Sequence, residues 1–167
     1  GRDAREAKGH FFALKAIYPD IKGVLLLDGD NRNLPERELA ADNLTILRWR
    51  RYETENYLLH PESLLRFVAG PDADLFAQGR RVTGEAFLRE NFPPPALREP
   101  LKDSDYLVAT PASKSILPAF LECVGVRLPK KDYFQIAAQM LRDEIHEEVV
   151  EKLDAMTSIL RCEHAPD

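Results

Sequence analysis

The sequence predicts an α/β fold: a mainly parallel sheet with flanking helices and a helical carboxyl-terminal part. Three observations predict it. Gly23-Val24-Leu25-Leu26-Leu27 is an uninterrupted apolar run that stops at Asp28, which is how a strand covered on both faces of a parallel sheet reads. Helical spacing precedes this run, and a second apolar run, Leu44-Thr45-Ile46-Leu47, follows a further short helical stretch, so helices and strands alternate. Long periodic segments then close the chain.

Taken in order, residues from Asp3 to Tyr18 have helical spacing, with Ala7, Phe11, Leu14, Ala16 and Ile17 available for one face and Pro19-Asp20 as the stop. Gly23 to Leu27 is expected as the central strand, with the polar loop Asp28-Gly29-Asp30-Asn31-Arg32-Asn33 at its carboxyl end. A short helix is expected from Pro35 to Ala41, proline sitting in its first turn. Leu44 to Leu47 is the second strand, and Pro61 opens a helix that runs through Val68. Gly70-Pro71-Asp72 and Pro93-Pro94-Pro95 punctuate a helical excursion over about residues 61–100. Tyr106 to Thr110 is expected as a third strand and Lys114 to Val124 as a helix. Lys130 to Met140 and Arg142 to Leu160 read as helices, the second with Ile145, Val149, Leu153, Met156 and Ile159 or Leu160 on one stripe. This divides the chain into an α/β part, residues 1–125, and a helical segment, residues 126–167.

Composition excludes several function classes. The 167 residues are 44% hydrophobic and 31% charged, with a net charge of −5, which is not a basic nucleic-acid sleeve, although a local basic patch can sit on an acidic body. Cys123 and Cys162 lie far apart with no CxxC, so neither a disulfide scaffold nor a cysteine zinc site is expected, and free thiols in a reducing cytosol are. No apolar run is long enough to span a membrane, and no signal peptide is expected. The chain opens Gly1-Arg2-Asp3 without a methionine and is expected to be a piece of something longer.

The sharpest local feature is Asp28-Gly29-Asp30 directly after an apolar strand. Sites in open α/β sheets form outside the carboxyl ends of strands, and two carboxylates on such a loop suit a hard cation such as Mg²⁺, which takes one or two carboxylates, waters and a phosphate. The alternative is a turn in which both aspartates cap backbone amides. Glu53, Glu55 and Asn56 follow the second strand, whose carboxyl end is expected on the same edge, so a third carboxylate arrives there; alternatively Glu53 and Glu55 neutralise Arg48, Arg50 and Arg51. Lys114, in Thr110-Pro111-Ala112-Ser113-Lys114-Ser115, stands at an expected strand-to-helix junction, where it meets a phosphate or is simply solvated. The glycines of a P-loop are absent. His10, His60, His146 and His164 do not cluster, which argues against zinc catalysis.

With these residues in view, the chain resembles the Toprim-type domain at the carboxyl end of OLD-like ATP-binding proteins, which carry an ABC-class AAA ATPase followed by a Toprim-related nuclease module. Three stretches carry the resemblance. Gly23 to Arg32 is similar to an apolar strand ending in Asp-x-Asp, Arg51-Tyr52-Glu53-Thr54-Glu55-Asn56-Tyr57-Leu58-Leu59-His60-Pro61-Glu62 to a Glu-Asn-Tyr-Leu-Leu box, and His146 to Asp154 to a terminal helix. The resemblance implies a Rossmannoid fold, Mg²⁺ or Mn²⁺, phosphodiester chemistry on DNA rather than RNA, a cytoplasmic homo-oligomeric parent with an ATP-binding domain upstream, and a role in anti-phage defence. It matches Asp28, Asp30 and Glu55 to metal ligands and Lys114 to the lysine facing the scissile phosphate. A Toprim domain also opens with a strand ending in Glu, which is not found ahead of Asp28.

Two function classes therefore compete: a divalent-metal-dependent nuclease module, and a catalytically degenerate Toprim-fold interaction or regulatory module of an AAA ATPase. A haloacid-dehalogenase-like phosphatase ranks last, because Asn31-Arg32-Asn33 supplies no Thr or Val after the second Asp. For a nucleic-acid partner, Arg48, Arg50, Arg51, Lys130 and Lys131 are the expected phosphate contacts.

Overall fold

The apolar run at 23–27 needs a helix to cover it, and α1 (Ala4–Ile17) supplies one before the chain turns into β1 (Gly23–Leu27). A side chain at Gly23 would begin 2.6 Å from the ring of Phe11. Its absence lets Phe11, the buried residue of α1, lie against the strand. In the computed structural model, which describes residues 4–70 and 75–161, β2 (Arg37–Ala41) and β3 (Leu44–Arg48) then form an antiparallel hairpin. Its turn is Asp42-Asn43, with Asn43 in the left-handed region at φ 65°, a conformation Asn tolerates well. β1 pairs parallel to β3, Gly23 opposite Leu44 and Leu27 opposite Arg48, so the strand order is β1-β3-β2.

The sheet is thus mixed, one pair parallel and one antiparallel, rather than mainly parallel, and two further expectations are corrected here. The central strand is β3, not 23–27: Leu44, Ile46 and Leu47 are buried, whereas every residue of β1 is only half-buried. Full burial needs a neighbour on both sides, and among the described residues β1 has one on a single side. The second correction is Pro35 to Ala41, where residues 37–41 are a strand. Glu-Leu-Ala-Ala has good local helix propensity, but pairing with β3 overrides it.

After Leu59 the chain becomes helical. Helices α2 (Pro61–Ala69), α3 (Leu75–Asn91), α4 (Pro94–Arg98), α5 (Asp105–Ala109), α6 (Ile116–Cys123) and α7 (Phe134–Ala137) follow one another. They enclose one apolar core that includes Leu64, Leu107, Leu117, Phe120 and Ile136, each fully buried. The core thus continues past residue 125 to Tyr133 and Ile136. Tyr106 to Thr110 is no strand: it lies within and just after α5, which Ser104 caps by accepting from the Leu107 amide at 3.3 Å. The expected helix at 130–140 is a 3₁₀ turn, Lys130–Asp132, followed by the single turn of α7. Pro71, Asp72, Cys162 and His164 lie outside the described residues; Cys123 is an exposed free thiol.

The last expected helix is split. A 3₁₀ turn covers Arg142–Glu144, and α8 (Glu147–Leu160) starts afresh with His146 as its cap, the Nδ1 of which accepts from the Glu148 amide at 3.1 Å. Glu144 ties this turn to α2. Arg66 donates to both carboxylate oxygens at 2.8 and 2.6 Å, and Ser63 Oγ donates at 2.8 Å. Arg66 first, with Ser63 and the Leu141 amide, holds the Glu144 carboxyl down at about 2 against its partial burial. α8 packs on β1, with only part of the stripe read from sequence turned inward: Val149, Met156 and Ile159 are half-buried. Ile145, Leu153 and Leu160 are exposed, while Glu148 and Lys152 are buried. Among the described residues no helix is long and apolar enough to cross a membrane.

Candidate active site

Parallel pairing brings the carboxyl ends of β1 and β3 to one edge, and the chain continues that pairing beyond the strands. The Trp49 amide donates to Leu27 O at 3.0 Å, Asp30 N to Tyr52 O at 2.9 Å, and Tyr52 N to Val108 O at 2.8 Å. The loop after β1 therefore lies flat on residues 49–52. Gly29 permits this: a Cβ there would sit 2.5 Å from the carbonyl oxygens of both Trp49 and Arg51. Sequence alone makes Gly29 a spacer between two aspartates; in the fold it is the point of backbone contact between two loops. Asp30 and Asn31 both take left-handed backbone, φ 49° and 53°, and Asp30 turns to pair with Arg32 at 3.2 Å.

Asp28 accepts from the Thr54 amide at 3.3 Å. Partial burial pushes its carboxyl up, and the like charges of Glu55, Asp30 and Glu53 push it further, against the Thr54 bond. Asp28, Glu55, Asp30 and Glu53 therefore stand in one electrostatic cluster. The ammonium in that cluster is that of Lys130. It lies 2.9 Å from Glu55 Oε1 and 3.7 Å from Glu53 Oε2, and donates to Ser113 Oγ at 2.8 Å. Burial alone would lower Lys130, but Glu55, Glu53 and Asp28 outweigh it and the ammonium is held up.

The rest of the Glu-Asn-Tyr-Leu-Leu stretch is framework. Glu53, 3% exposed, accepts from the Ser113 amide and from Ser113 Oγ at 2.8 Å. Asn56 donates to the carbonyls of Leu107 and Thr110, both at 2.7 Å, and its own carbonyl accepts from Glu53 N at 3.3 Å. Tyr57 OH donates to the buried Glu148, which pushes the phenol well up together with burial. Leu59 enters the helical core. Of Glu53, Glu55, Asn56 and Tyr57, Glu55 alone is not fully buried, its side chain 18% exposed.

Other expected site residues are distributed differently. Lys114 is exposed, one residue beyond Ser113, and forms no ion pair with these carboxylates; Lys131 is also exposed. Arg51 is corrected from a phosphate contact to a framework residue. It is 2% exposed, pairs with Asp103 at 2.9 Å, donates to Asn56 O and Pro100 O at 3.2 Å, and stacks over the Tyr57 ring at 5.0 Å. Arg48 pairs with Glu38 at 3.1 Å and Arg50 with Glu148 at 3.2 Å. Ser113 was not legible as a site residue. Its one sequence signal is its place in the turn beside Lys114.

The donor set is one a hard divalent cation favours: Asp28 and Glu55 are oxygen ligands whose mutual repulsion a cation relieves. Among the described residues, however, no three His, Cys, Asp or Glu side chains converge to hold a metal by themselves.

Compared with known proteins, this chain matches no family model, no curated protein and no solved structure.

Proposed function

We propose that this chain is a Toprim-type, divalent-metal-dependent nuclease module that hydrolyses phosphodiesters, attached in its parent to an OLD-like ATP-binding domain. The observation that carries this reading is that Asp28, directly after β1, and Glu55, in the turn that follows β3, act electrostatically on one another and on Lys130, which pairs with Glu55 at 2.9 Å. Asp28 and Glu55 would hold Mg²⁺ or Mn²⁺, with Asp30 at the rim. The bound ion supplies Lewis-acid polarisation of a phosphoryl oxygen and a lowered pKa for bound water. Glu53 and Ser113 position Lys130, whose ammonium offers charge to a phosphoryl oxygen as negative charge develops. Lys114, at the solvent edge of the same turn, is available to a substrate larger than the cleft.

A second reading has its own observation. Lys130 already neutralises Glu55, and Glu53 is committed to Ser113, as in a module that keeps its carboxylates for structure and serves an AAA ATPase as an interaction surface. Nicking of supercoiled DNA with Mn²⁺ decides between them. The nuclease reading expects cleavage by the full-length parent that falls at least about a hundredfold in Asp28→Asn and Glu55→Gln, the scale on which loss of a key charge-stabilising group slows a reaction. Equal cleavage by parent and variants, or calorimetric silence toward Mn²⁺ in the parent, defeats it.

A further inference from the structure

A second concavity adjoins the carboxylate loop. It is a pocket of about 170 Å³ whose lining includes Gly29, Arg32, Glu36, Arg48, Trp49 and Arg50. Three arginines thus line it against one carboxylate. Each guanidinium is tethered: Arg32 to Asp30 at 3.2 Å, Arg48 to Pro35 O at 2.9 Å and Glu38 at 3.1 Å, Arg50 to Glu148 at 3.2 Å. Tethers of this kind fix an arginine without using all five of its N–H donors.

Two adjacent residues leave buried donors unmet. Trp49 is 6% exposed, and its indole N–H reaches no acceptor. Arg50 Nη2 is buried without a hydrogen bond, its nearest carboxylate oxygen, on Glu151, standing 3.6 Å away. A buried donor without a partner costs about 1–3 kcal/mol, and a buried tryptophan N–H normally has one. Unmet N–H groups from two residues, three guanidiniums and a surplus of positive lining charge together ask for an anion with several acceptor oxygens. Phosphate chemistry meets that description, and arginine forks match its geometry.

We propose that this pocket binds a phosphoryl group, with the guanidiniums of Arg32, Arg48 and Arg50 that line it pairing its oxygens and Trp49 forming part of its wall. The inference leans on the nuclease reading only for the source of the group, a backbone phosphodiester rather than the terminal phosphate of a nucleotide. The binding itself uses neither Asp28 nor Glu55. Arg32, its side chain 66% exposed, is the member that can swing from Asp30 onto an incoming phosphate.

Trp49 is the one tryptophan of the chain, so its fluorescence reports on this pocket alone. The 167-residue chain is titrated in EDTA, at constant ionic strength, with inorganic phosphate, thymidine monophosphate and the thymidine dinucleotide that holds one internal phosphodiester. Saturable change with phosphate is expected, and loss of a charge-assisted contact in Arg32→Gln should weaken it about tenfold, while the equal charge change Arg98→Gln on exposed α4 leaves it unaltered. Saturation by the dinucleotide assigns the site to a nucleic-acid backbone; saturation by the monophosphate alone assigns it to a terminal phosphate and overturns the backbone source. A chloride response as large as the phosphate response, or equal affinity in Arg32→Gln and the parent sequence, overturns the pocket. Phosphate binding in EDTA by this chain, together with no Mn²⁺-dependent nicking by the full-length parent, would sustain the pocket and defeat the nuclease reading.

Discussion

At Asp28, what the fold prefers and what a cation needs are opposed. Burial and the nearby Glu55, Asp30 and Glu53 raise its carboxyl above the ordinary 3.8. The folded chain therefore takes up this proton more readily than the unfolded one, and the contribution favours folding below about pH 3.8 and is lost as pH rises through the raised value. At neutral pH the ionised carboxylate is a cost. Asp28→Asn should accordingly raise the melting temperature at pH 7, with the gain shrinking toward pH 4, and should remove divalent-ion binding at the same time. Because solvent reaches this side chain, the gain is below about 1 kcal/mol. Thermal denaturation at the two pH values checks it, and a lower melting temperature at pH 7 would mean that the Thr54 bond outweighs the repulsion. Asp28 stood out because it ends an apolar run directly, whereas Glu55 stood out through the box that resembles Glu-Asn-Tyr-Leu-Leu. Arg51 was not: nothing within Arg48-Trp49-Arg50-Arg51 distinguishes the arginine that becomes buried, since its acceptors, Pro100 O and Asp103, come some fifty residues later.

Among elements, α8 shows most clearly where pattern and packing part. Its apolar residues stand at helical spacing, yet the face it turns inward carries Glu148 and Lys152. The cause lies in the partners. Arg50 N donates to Glu148 Oε1 at 2.8 Å, Tyr57 OH to Oε2, and Lys152 links Glu148 at 3.4 Å to Glu36 at 2.9 Å. Glu148→Ala takes the acceptor from the Arg50 amide and the buried Tyr57 hydroxyl and removes the buried counter-charge shared by Arg50 and Lys152, and should cost about 3–5 kcal/mol in urea denaturation. Leu153→Ser, on the exposed side, should change stability by no more than about 0.5 kcal/mol. A larger loss in Leu153→Ser than in Glu148→Ala would show that the apolar stripe, not the ion network, seats the helix. Two of the five-residue elements were illegible for a related reason. Arg37–Ala41 and Asp105–Ala109 are too short for their periodicity to separate strand from helix, and what decides them is a distant partner, β3 in one case and the helical core in the other. The α/β class and the two parallel strands were legible because β1 and β3 are apolar runs that stand apart from the helical pattern.

Across the whole molecule, residues 49–59 act as a clasp between the sheet and the helical layer, and Asn56 is its innermost member. Both amide hydrogens of Asn56 are used on carbonyls of the α5 region, and its carbonyl closes the turn on Glu53. Tyr52 N adds a backbone bond to Val108 O, and Glu53 a carboxylate to Ser113. Asn56→Ala leaves the Leu107 carbonyl without this donor inside the protein, and with it the Thr110 carbonyl and the Glu53 amide, so a loss of about 3 kcal/mol follows. The loss should be uneven. β1 and β3 are joined by their own ladder, whereas residues 107–113 are attached to the sheet largely through this clasp. Native-state hydrogen exchange of Asn56→Ala should therefore lose protection at residues 107–113 and in the 53–56 turn while the β1–β3 amides keep most of theirs. Glu55 and Lys130 would then separate, and the 2.9 Å ion pair that now closes the cluster would open without any change at Asp28. Uniform loss of protection over both layers would contradict this: the sheet and helices would then form a single cooperative unit, and the convergence of Asp28 with Glu55 would depend on the entire fold rather than on one buried amide.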